Sequence, residues 1–134
     1  MKIVLDTNVL ISALIKQGKP RILLTKVIRN NHKLIVSEDI LIALARVCND
    51  TVIRKYVNQR DITEFIRNIA SIPKMVERVS DFRVIKEDPD DDIILQTACD
   101  ARAGYIVSGD RHLVTLRRYR GVRILSVEEM LLII

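Results

Sequence analysis

The sequence predicts a single three-layer α/β/α domain with a central parallel sheet of four to five strands. Short runs of β-branched and aliphatic residues alternate with longer segments whose apolar residues recur at helical spacing. No linker, repeat or low-complexity tract divides the 134 residues, of which 49% are hydrophobic. We therefore expect residues 1–134 to form one domain.

Five segments are predicted to be strands. Residues 2–6 (KIVLD), 33–37 (KLIVS), 105–110 (YIVSGD) and 123–126 (RILS) are typical of strands buried within a parallel sheet. Residues 74–79 (KMVERV) indicate a short edge strand. Strands that alternate with helices require right-handed crossovers, so the sheet is expected to be parallel with helices on both faces.

The remaining segments are predicted to be helical. In chain order they are residues 7–18, 20–30, 37–50, a helical hairpin over 50–72, a helix that ends near Ala103, 111–116 and a C-terminal helix. Ser37 is the expected N-cap of its helix, whose inner face is predicted to carry Ile40, Leu44 and Val47. In the hairpin, one apolar stripe consists of Ile62, Phe65, Ile66, Ile69 and Ile72 before Pro73 ends it, and the last helix has capping-box spacing at Ser126 and Glu129.

An acidic segment precedes the helix that ends near Ala103. Residues 86–100 read KEDPDDDIILQTACD, with five carboxylates ahead of an apolar run. At about 100° per residue, Asp91 lies roughly 20° from the centre of the apolar helix face, whereas Asp92 lies more than about 100° away. We therefore expect only Asp91 to point inward. The other four acids are interpreted as cap, loop or solvent-facing residues: Glu87, Asp88, Asp90 and Asp92.

Three acids are predicted to meet at one edge of the sheet. Asp6 ends the first strand, Asp110 follows the 105–110 run, and Asp91 starts a helix near a sheet edge. Ligands of open parallel sheets bind at the carboxyl ends of the strands. Buried carboxylates require a compensating cation, and an oxygen-only set suits Mg²⁺ or Mn²⁺, which would assist phosphodiester hydrolysis. Alternatively, Asp6 and Asp110 could simply cap the helices that follow them.

Composition favours a basic, reduced protein. The net charge of +5 and the pI near 9.5 indicate a polyanionic partner such as nucleic acid. Cys48 and Cys99 lie in apolar helical contexts and are expected to be buried and unpaired.

No run has signal-peptide or transmembrane character, so a cytoplasmic location without membrane contact is expected. The RRYR cluster (residues 117–120) is predicted to be a solvated turn, with phosphate contact as the alternative.

Three motifs carry a resemblance to a known family. VLDTNVLISALI (residues 4–15), DPDDDIILQTA (88–98) and YIVSGDRHLVTL (105–116) resemble the PIN-domain ribonucleases, in particular the prokaryotic VapC-like toxin branch. The resemblance runs over essentially the whole chain. It implies a PIN fold, a Mg²⁺ or Mn²⁺ site, hydrolysis of RNA, an antitoxin protein as partner and a homodimer.

Position by position, the resemblance assigns roles to particular residues. Asp6, Asp91 and Asp110 match the family's acids and are implied to be both the metal ligands and the catalytic residues. Three further residues match supporting positions of the motifs: Thr7, Asn8 and Ser108.

One position departs from the family pattern. Relatives carry a glutamate in the helix after the second strand, where this chain has Ala43. Asp39, one turn earlier, is the candidate substitute, and His112 stands where many relatives have a further acid. Two readings follow: a metal-dependent ribonuclease with a weakened site, or a PIN domain that binds RNA or protein without turnover. A receiver-like phosphoryl-transfer protein is disfavoured because Thr7 and Asn8, not a second acid, follow Asp6.

Overall fold

A computed structural model describes residues 1–72, 75–85 and 88–134. Seven strands lie in the described residues: β1 (Lys2–Leu5), β2 (Lys33–Leu34), β3 (Val36–Ser37), β4 (Met75–Val76), β5 (Tyr105–Val107), β6 (Arg118–Tyr119) and β7 (Val122–Leu125).

The same residues contain eight helices, several of which begin at the positions predicted from capping signals. They are α1 (Thr7–Ile15), α2 (Lys19–Arg29), α3 (Glu38–Cys48), α4 (Thr51–Arg54), α5 (Gln59–Ala70), α6 (Pro89–Ala101), α7 (Arg111–Leu116) and α8 (Val127–Ile133).

Five strands form the central sheet, in the order β2-β1-β5-β7-β6. All neighbours are parallel except β6, which pairs with β7 in an antiparallel hairpin. Helices flank this sheet. The predicted α/β class with a mostly parallel sheet of five strands is confirmed.

β1 occupies an interior position because its side chains are apolar on both faces. Ile3, Val4 and Leu5 are at most 1% exposed, as expected of a parallel strand covered on each side. Ile3 pairs in register with Tyr105 and Leu5 with Val107 of β5. Helix α6 packs against both strands through an apolar face that includes Ile94, Leu95 and Ala98.

The 33–37 segment differs from its prediction as one strand. Lys33 and Leu34 pair with β1, whereas Val36 and Ser37 leave the sheet and pair with Met75 and Val76 in a separate two-stranded sheet. Val36 pairs with Met75, a residue 39 positions further along the chain. The apolar pattern of residues 33–37 could not predict this long-range pairing. The predicted edge strand at 74–79 is confirmed at β4, although Lys74 lies outside the described residues. The RRYR cluster likewise contains strand β6, where only a turn was predicted.

Helix α3 follows its prediction with one exception. The Ser37 hydroxyl accepts a hydrogen bond from the Ile40 amide at 3.2 Å, which confirms the cap. Ile40 and Leu44 are buried as predicted, but Val47 is 36% exposed. Val47 lies at the mouth of a pocket instead of in the core.

The expectation that Asp92 faces solvent is wrong. Its side chain is 3% exposed, and its Oδ1 accepts hydrogen bonds from the amides of Val84 (2.8 Å) and Ile85 (3.0 Å). The helical angle was correct, since Asp92 points away from the apolar face, but an extended segment covers that side. We call residues 78–85 the strap.

Two further polar residues of α6 hold the strap. Gln96 donates from its amide nitrogen to the Phe82 carbonyl oxygen. Asp100 accepts from the amides of Val79 (2.7 Å) and Ser80 (2.8 Å) and also contacts the Ser80 hydroxyl. Residues 92, 96 and 100 lie at intervals of four along the helix, so one polar stripe satisfies backbone groups of a segment without regular structure.

Arg78 fastens the strap to a second helix. Its Nε donates to Asp39 Oδ2 at 2.8 Å, and one of its Nη atoms donates to the Ser80 carbonyl (2.9 Å) and to Gln96 Oε1 (2.7 Å). One guanidinium therefore links α3, the strap and α6, a geometry that its fixed array of donors makes possible.

We predict that Asp92→Ala destabilises the fold while Asp92→Asn does not. Alanine leaves the Val84 and Ile85 amides without an acceptor, at a cost of about 2 kcal/mol. Asparagine retains the Oδ1 that accepts both bonds. Urea unfolding of the two variants measures the difference. Equal stabilities for the alanine variant and the parent chain would show that Asp92 does not anchor the strap.

Candidate active site

Asp6 lies directly after β1, in the position set by strand pairing. Its amide donates to the Val107 carbonyl at 2.9 Å, which extends the β1–β5 ladder by one bond. Its side chain is 5% exposed. Although Asp6 is the N-cap residue of α1, its carboxylate makes no capping hydrogen bond to that helix. The amides of Thr7 and Asn8 are nevertheless near enough to stabilise its charged form.

Ser108 joins Asp6 to Asp110. Its fully buried hydroxyl donates to Asp6 Oδ2 at 2.6 Å and accepts from the Asp110 amide at 2.9 Å. Asp110 also caps α7, because its Oδ1 accepts from the His112 amide at 2.8 Å. Asp110 therefore caps α7, as the alternative prediction from the sequence stated. The cap uses Oδ1, and Oδ2 takes no part in that hydrogen bond.

Burial raises the pKa of Asp6 above its ordinary value. The hydrogen bond from Ser108 and the nearby amides of Thr7 and Asn8 act in the opposite direction, because they stabilise the charged form. The negative charge of Asp110 adds to the increase. The net result is a carboxylate that needs further positive charge to ionise readily.

Asp91 is placed on the inward side of the first turn of α6, as helix geometry predicted. It is 5% exposed, and its Oδ2 is a buried oxygen without a hydrogen-bond partner among the described residues. Burial raises its pKa to about 7, and the negative charges of Asp110, Asp6 and Asp88 contribute further. An uncompensated buried oxygen among like charges is a typical feature of a cation site.

One pocket of about 100 Å³ brings these acids together. Its acidic lining consists of Asp6, Asp88, Asp90, Asp91 and Asp110. The described residues that line it include no Lys or Arg. Three distant parts of the chain thus supply carboxylates to one cavity at the carboxyl edge of β1 and β5.

Three of the four predicted supporting residues lie at the pocket, and the fourth, Asp39, does not. Thr7 and Asn8 line the pocket, and Ser108 touches two of its acids. Ala43 also lines it, so the missing glutamate would have pointed into this cavity. Asp39 does not line it, because its carboxylate pairs with Arg78 instead.

Asp88 and Asp90 were interpreted from the sequence as cap and loop residues. Asp88 does cap α6, since its Oδ1 accepts from the Asp90 amide at 2.9 Å, yet both residues also line the pocket. Asp90 Oδ2 lies 3.9 Å from an Nη atom of Arg46 at the surface. Their place at the start of the same helix as Asp91 was the signal that could have indicated this.

The donor chemistry of the pocket fits a hard divalent cation. Its acids offer only oxygen ligands, and Asp91 Oδ2 has no hydrogen-bond partner in the part of the chain that the structure describes. Among the described residues, however, no three acidic, histidine or cysteine side chains already surround a single point. Binding an ion would therefore require small adjustments of these side chains.

The other residues singled out from the sequence lie away from the pocket lining. Arg120 stacks its guanidinium over the rings of Phe82 and Tyr119, with centroid distances of 4.7 and 5.1 Å. The aromatic residue of the RRYR cluster therefore packs against the strap. Cys48 and Cys99 are both free thiols, as expected; Cys48 is buried as predicted, whereas Cys99 is only half-buried.

Comparison with known proteins identifies the family. Residues 2–112 match the model of the PIN domain, and this range contains all three acids and both strands that position them. The chain belongs to the PIN-domain family. Membership implies hydrolase activity of the nuclease type.

Two individual proteins resemble this PIN domain. The uncharacterized protein MJ1680 of Methanocaldococcus jannaschii is 31% identical over 119 residues, which cover 87% of this chain and 76% of the relative. The fold of this chain also matches the crystal structure of VapBC2 from Rickettsia felis, which is bound to a DNA fragment from the VapBC2 promoter. The TM-score is 0.65 and the sequence identity is 13%. That match covers 94% of this chain and 98% of the matched chain. The second similarity concerns the fold.

The helices of this PIN domain include none with the length and apolar character that crossing a bilayer requires, within the residues that the structure describes.

We predict that Asp91→Asn stabilises the metal-free protein increasingly as the pH rises. The folded state holds a proton on Asp91 up to a pKa of about 7, whereas the unfolded chain releases it near 3.8. Ionisation therefore lowers the stability of the parent chain as the pH rises through this window, and the amide removes that dependence.

Between pH 5 and pH 8, the stability advantage of Asp91→Asn should grow by roughly 2 kcal/mol, measured by urea unfolding in EDTA. Asp90→Asn, the same change at an exposed neighbour, serves as the control. A difference between Asp91→Asn and the parent that does not change with pH would contradict the charge assignment.

Proposed function

We propose that this PIN domain is a metal-dependent endoribonuclease whose acid pocket hydrolyses RNA phosphodiester bonds. The observation that carries the proposal is the convergence of Asp6, Asp91 and Asp110 on one pocket, with the Asp91 Oδ2 buried and unpartnered. Such an arrangement costs free energy unless a cation compensates it. Membership in a family of nucleases supports the reaction type.

The three acids share one part in this proposal, and the neighbouring polar residues have others. Asp6, Asp91 and Asp110 would hold Mg²⁺ or Mn²⁺, while Thr7 and Asn8 form the adjoining wall of the pocket. Ser108 positions Asp6 and Asp110 relative to each other through its two hydrogen bonds. An ion held here would supply charge neutralisation at the phosphate and ease the ionisation of a water nucleophile.

We further propose that the protein is the toxin of a toxin–antitoxin pair. VapBC2 from Rickettsia felis, solved in a complex with a DNA fragment from the VapBC2 promoter, shares the fold over 94% of this chain. An antitoxin protein would then be the partner, and a homodimer stays a prediction from the family resemblance.

A second candidate function is a PIN domain that binds RNA or a protein without turnover. Ala43 in the pocket lining favours it, because a glutamate at this position would have added a further ligand. Asp39 does not replace that ligand, since it is paired with Arg78 outside the pocket lining. The cleavage experiment separates the two functions.

We predict metal-dependent cleavage of single-stranded RNA by the purified chain. Activity should require Mn²⁺ or Mg²⁺ and should fall at least about 100-fold in Asp91→Asn, because the pocket loses the charge of its central carboxylate. Asp61→Asn, which changes an exposed acid of α5 outside the pocket lining, should retain most of the activity. Cleavage that persists in EDTA, or that is equal in Asp91→Asn and the parent, would overturn the mechanism.

We predict that Ala43→Glu increases metal affinity and raises cleavage at limiting metal. Ala43 is 9% exposed and lines the pocket, so a longer acidic side chain would reach its interior. Ala43→Gln, of similar size without the charge, is the matched control. Calorimetric titration with Mn²⁺ measures the affinity directly. An equal affinity in the glutamate and glutamine variants would show that this position does not contribute a ligand.

A further inference from the structure

Residues 7–37 form one of two acid-free stretches of the chain with at least five Lys or Arg residues, the other being residues 111–127. Residues 7–37 contain six Lys and Arg residues and no Asp or Glu. Residues 111–127 contain five Arg residues, so the positive excess of the chain lies in these two stretches. The six residues are Lys16, Lys19, Arg21, Lys26, Arg29 and Lys33.

Helix α2 collects much of this charge on its outer side. Leu23, Leu24 and Val27 are buried against the protein, and the opposite side lines a shallow depression of about 750 Å³. Its lining includes Arg21, Thr25, Lys26 and Arg29 together with the half-exposed Ile22. At about 100° per residue these five positions fall within one face of the helix.

Arg21 is partly engaged, whereas Lys26 and Arg29 are exposed. The Arg21 guanidinium donates to the carbonyl oxygens of Ala13 (2.7 Å) and Leu14 (2.8 Å) near the end of α1, where carbonyls lack helical partners. It therefore fixes α2 against α1 and adds positive potential to the depression. Lys26 and Arg29 lie one turn apart on the exposed surface.

A second depression lies between the start of α2 and the acid pocket. It measures about 250 Å³ and is lined by residues of α1 and α2, the Ser108–Gly109 turn and the start of α8. Asn8 lines both this depression and the acid pocket, and Lys19 lines its far side. Glu128 is the acid in this lining, and its exposed pair with Lys19 at 3.9 Å contributes little.

We infer that the outer face of α2 and the depression beside Asn8 form a track for the phosphate backbone of single-stranded RNA on one side of the acid pocket. The inference rests on the proposed function, because it takes a phosphate of the strand to lie among the acids and the strand to continue past Asn8, which lines both cavities. Repeated positive charges along a surface suit the regularly spaced charges of a polynucleotide. Lys19, Lys26 and Arg29 contact phosphates, and Thr25 and Ile22 lie between them.

The test compares two double variants of equal charge. Lys26→Ala/Arg29→Ala removes two contacts of the track, and Lys55→Ala/Arg67→Ala removes two exposed charges near the α4–α5 hairpin. Binding of a fluorescent single-stranded RNA of about 20 nucleotides is measured by anisotropy in EDTA over a range of salt concentrations. Circular dichroism and sedimentation establish that each variant is folded and keeps the parent's oligomeric state.

The track variant should bind RNA roughly 20-fold more weakly at 0.1 M salt, because two single-strand contacts reduce the slope of log affinity against log salt by about 1.4. The control variant should keep the parent's slope. Equal slopes in both variants, undetectable binding by the parent at low salt, or a changed oligomeric state in the track variant would overturn the inference. The last result would assign this face to a second copy of the chain.

The outcome is separable from that of the proposed function. Metal-dependent cleavage by the parent, with RNA affinity equal in the two double variants, would leave the nuclease proposal standing and reject the track. A parent chain that cuts no RNA, but whose track variant loses affinity and slope as described, would reject the nuclease and retain the track as a binding surface.

Discussion

The parallel pairing of β1 with β5 is the constraint on which the rest of the site depends. This pairing aligns Leu5 with Val107, and the next backbone bond joins the Asp6 amide to the Val107 carbonyl. Ser108, one residue beyond β5, then reaches both Asp6 and the Asp110 amide through a single hydroxyl. Because the strands themselves set these separations, the two acids are held together by backbone geometry and not by attraction between their side chains.

The burial of several acids side by side is electrostatically unfavourable in the metal-free protein. Asp91 is buried beside Asp6, Asp88 and Asp110, and its pKa rises to about 7 as a consequence. Positive charge lies elsewhere, in part in the acid-free residues 7–37, and the described lining of the acid pocket contains no Lys or Arg. The molecule thus separates an acidic cavity from a basic exterior, which leaves the cavity open to a small cation while the surface attracts a polyanion.

Helix α6 illustrates how adjacent residues come to have unrelated roles. Asp91 and Asp92 are chemically identical and consecutive, yet one lines the pocket and the other accepts hydrogen bonds from the strap. The same stripe that includes Asp92 continues through Gln96 to Asp100, so one helix supports the site on one side and an irregular segment on the other. Arg78 completes this support by joining the strap to Asp39.

The sequence by itself determined the fold class, the order of the main elements and the inward direction of Asp91. These features follow from local rules: buried parallel strands are apolar on both faces, and helical periodicity assigns each residue to a face. Motifs that match the PIN domain indicated which acids belong together, and the family comparison confirmed the membership.

Only the tertiary structure decided which backbone groups each polar residue would meet. The change of sheet at Val36, the burial of Asp92 beneath the strap and the pairing of Asp39 with Arg78 all involve partners distant along the chain. Local pattern gives the direction of a side chain but not what covers it, because that depends on long-range contacts formed when the whole chain packs. The depression beside Asn8, where the acid pocket meets the basic helix, likewise exists only once α1, α2 and α8 are assembled.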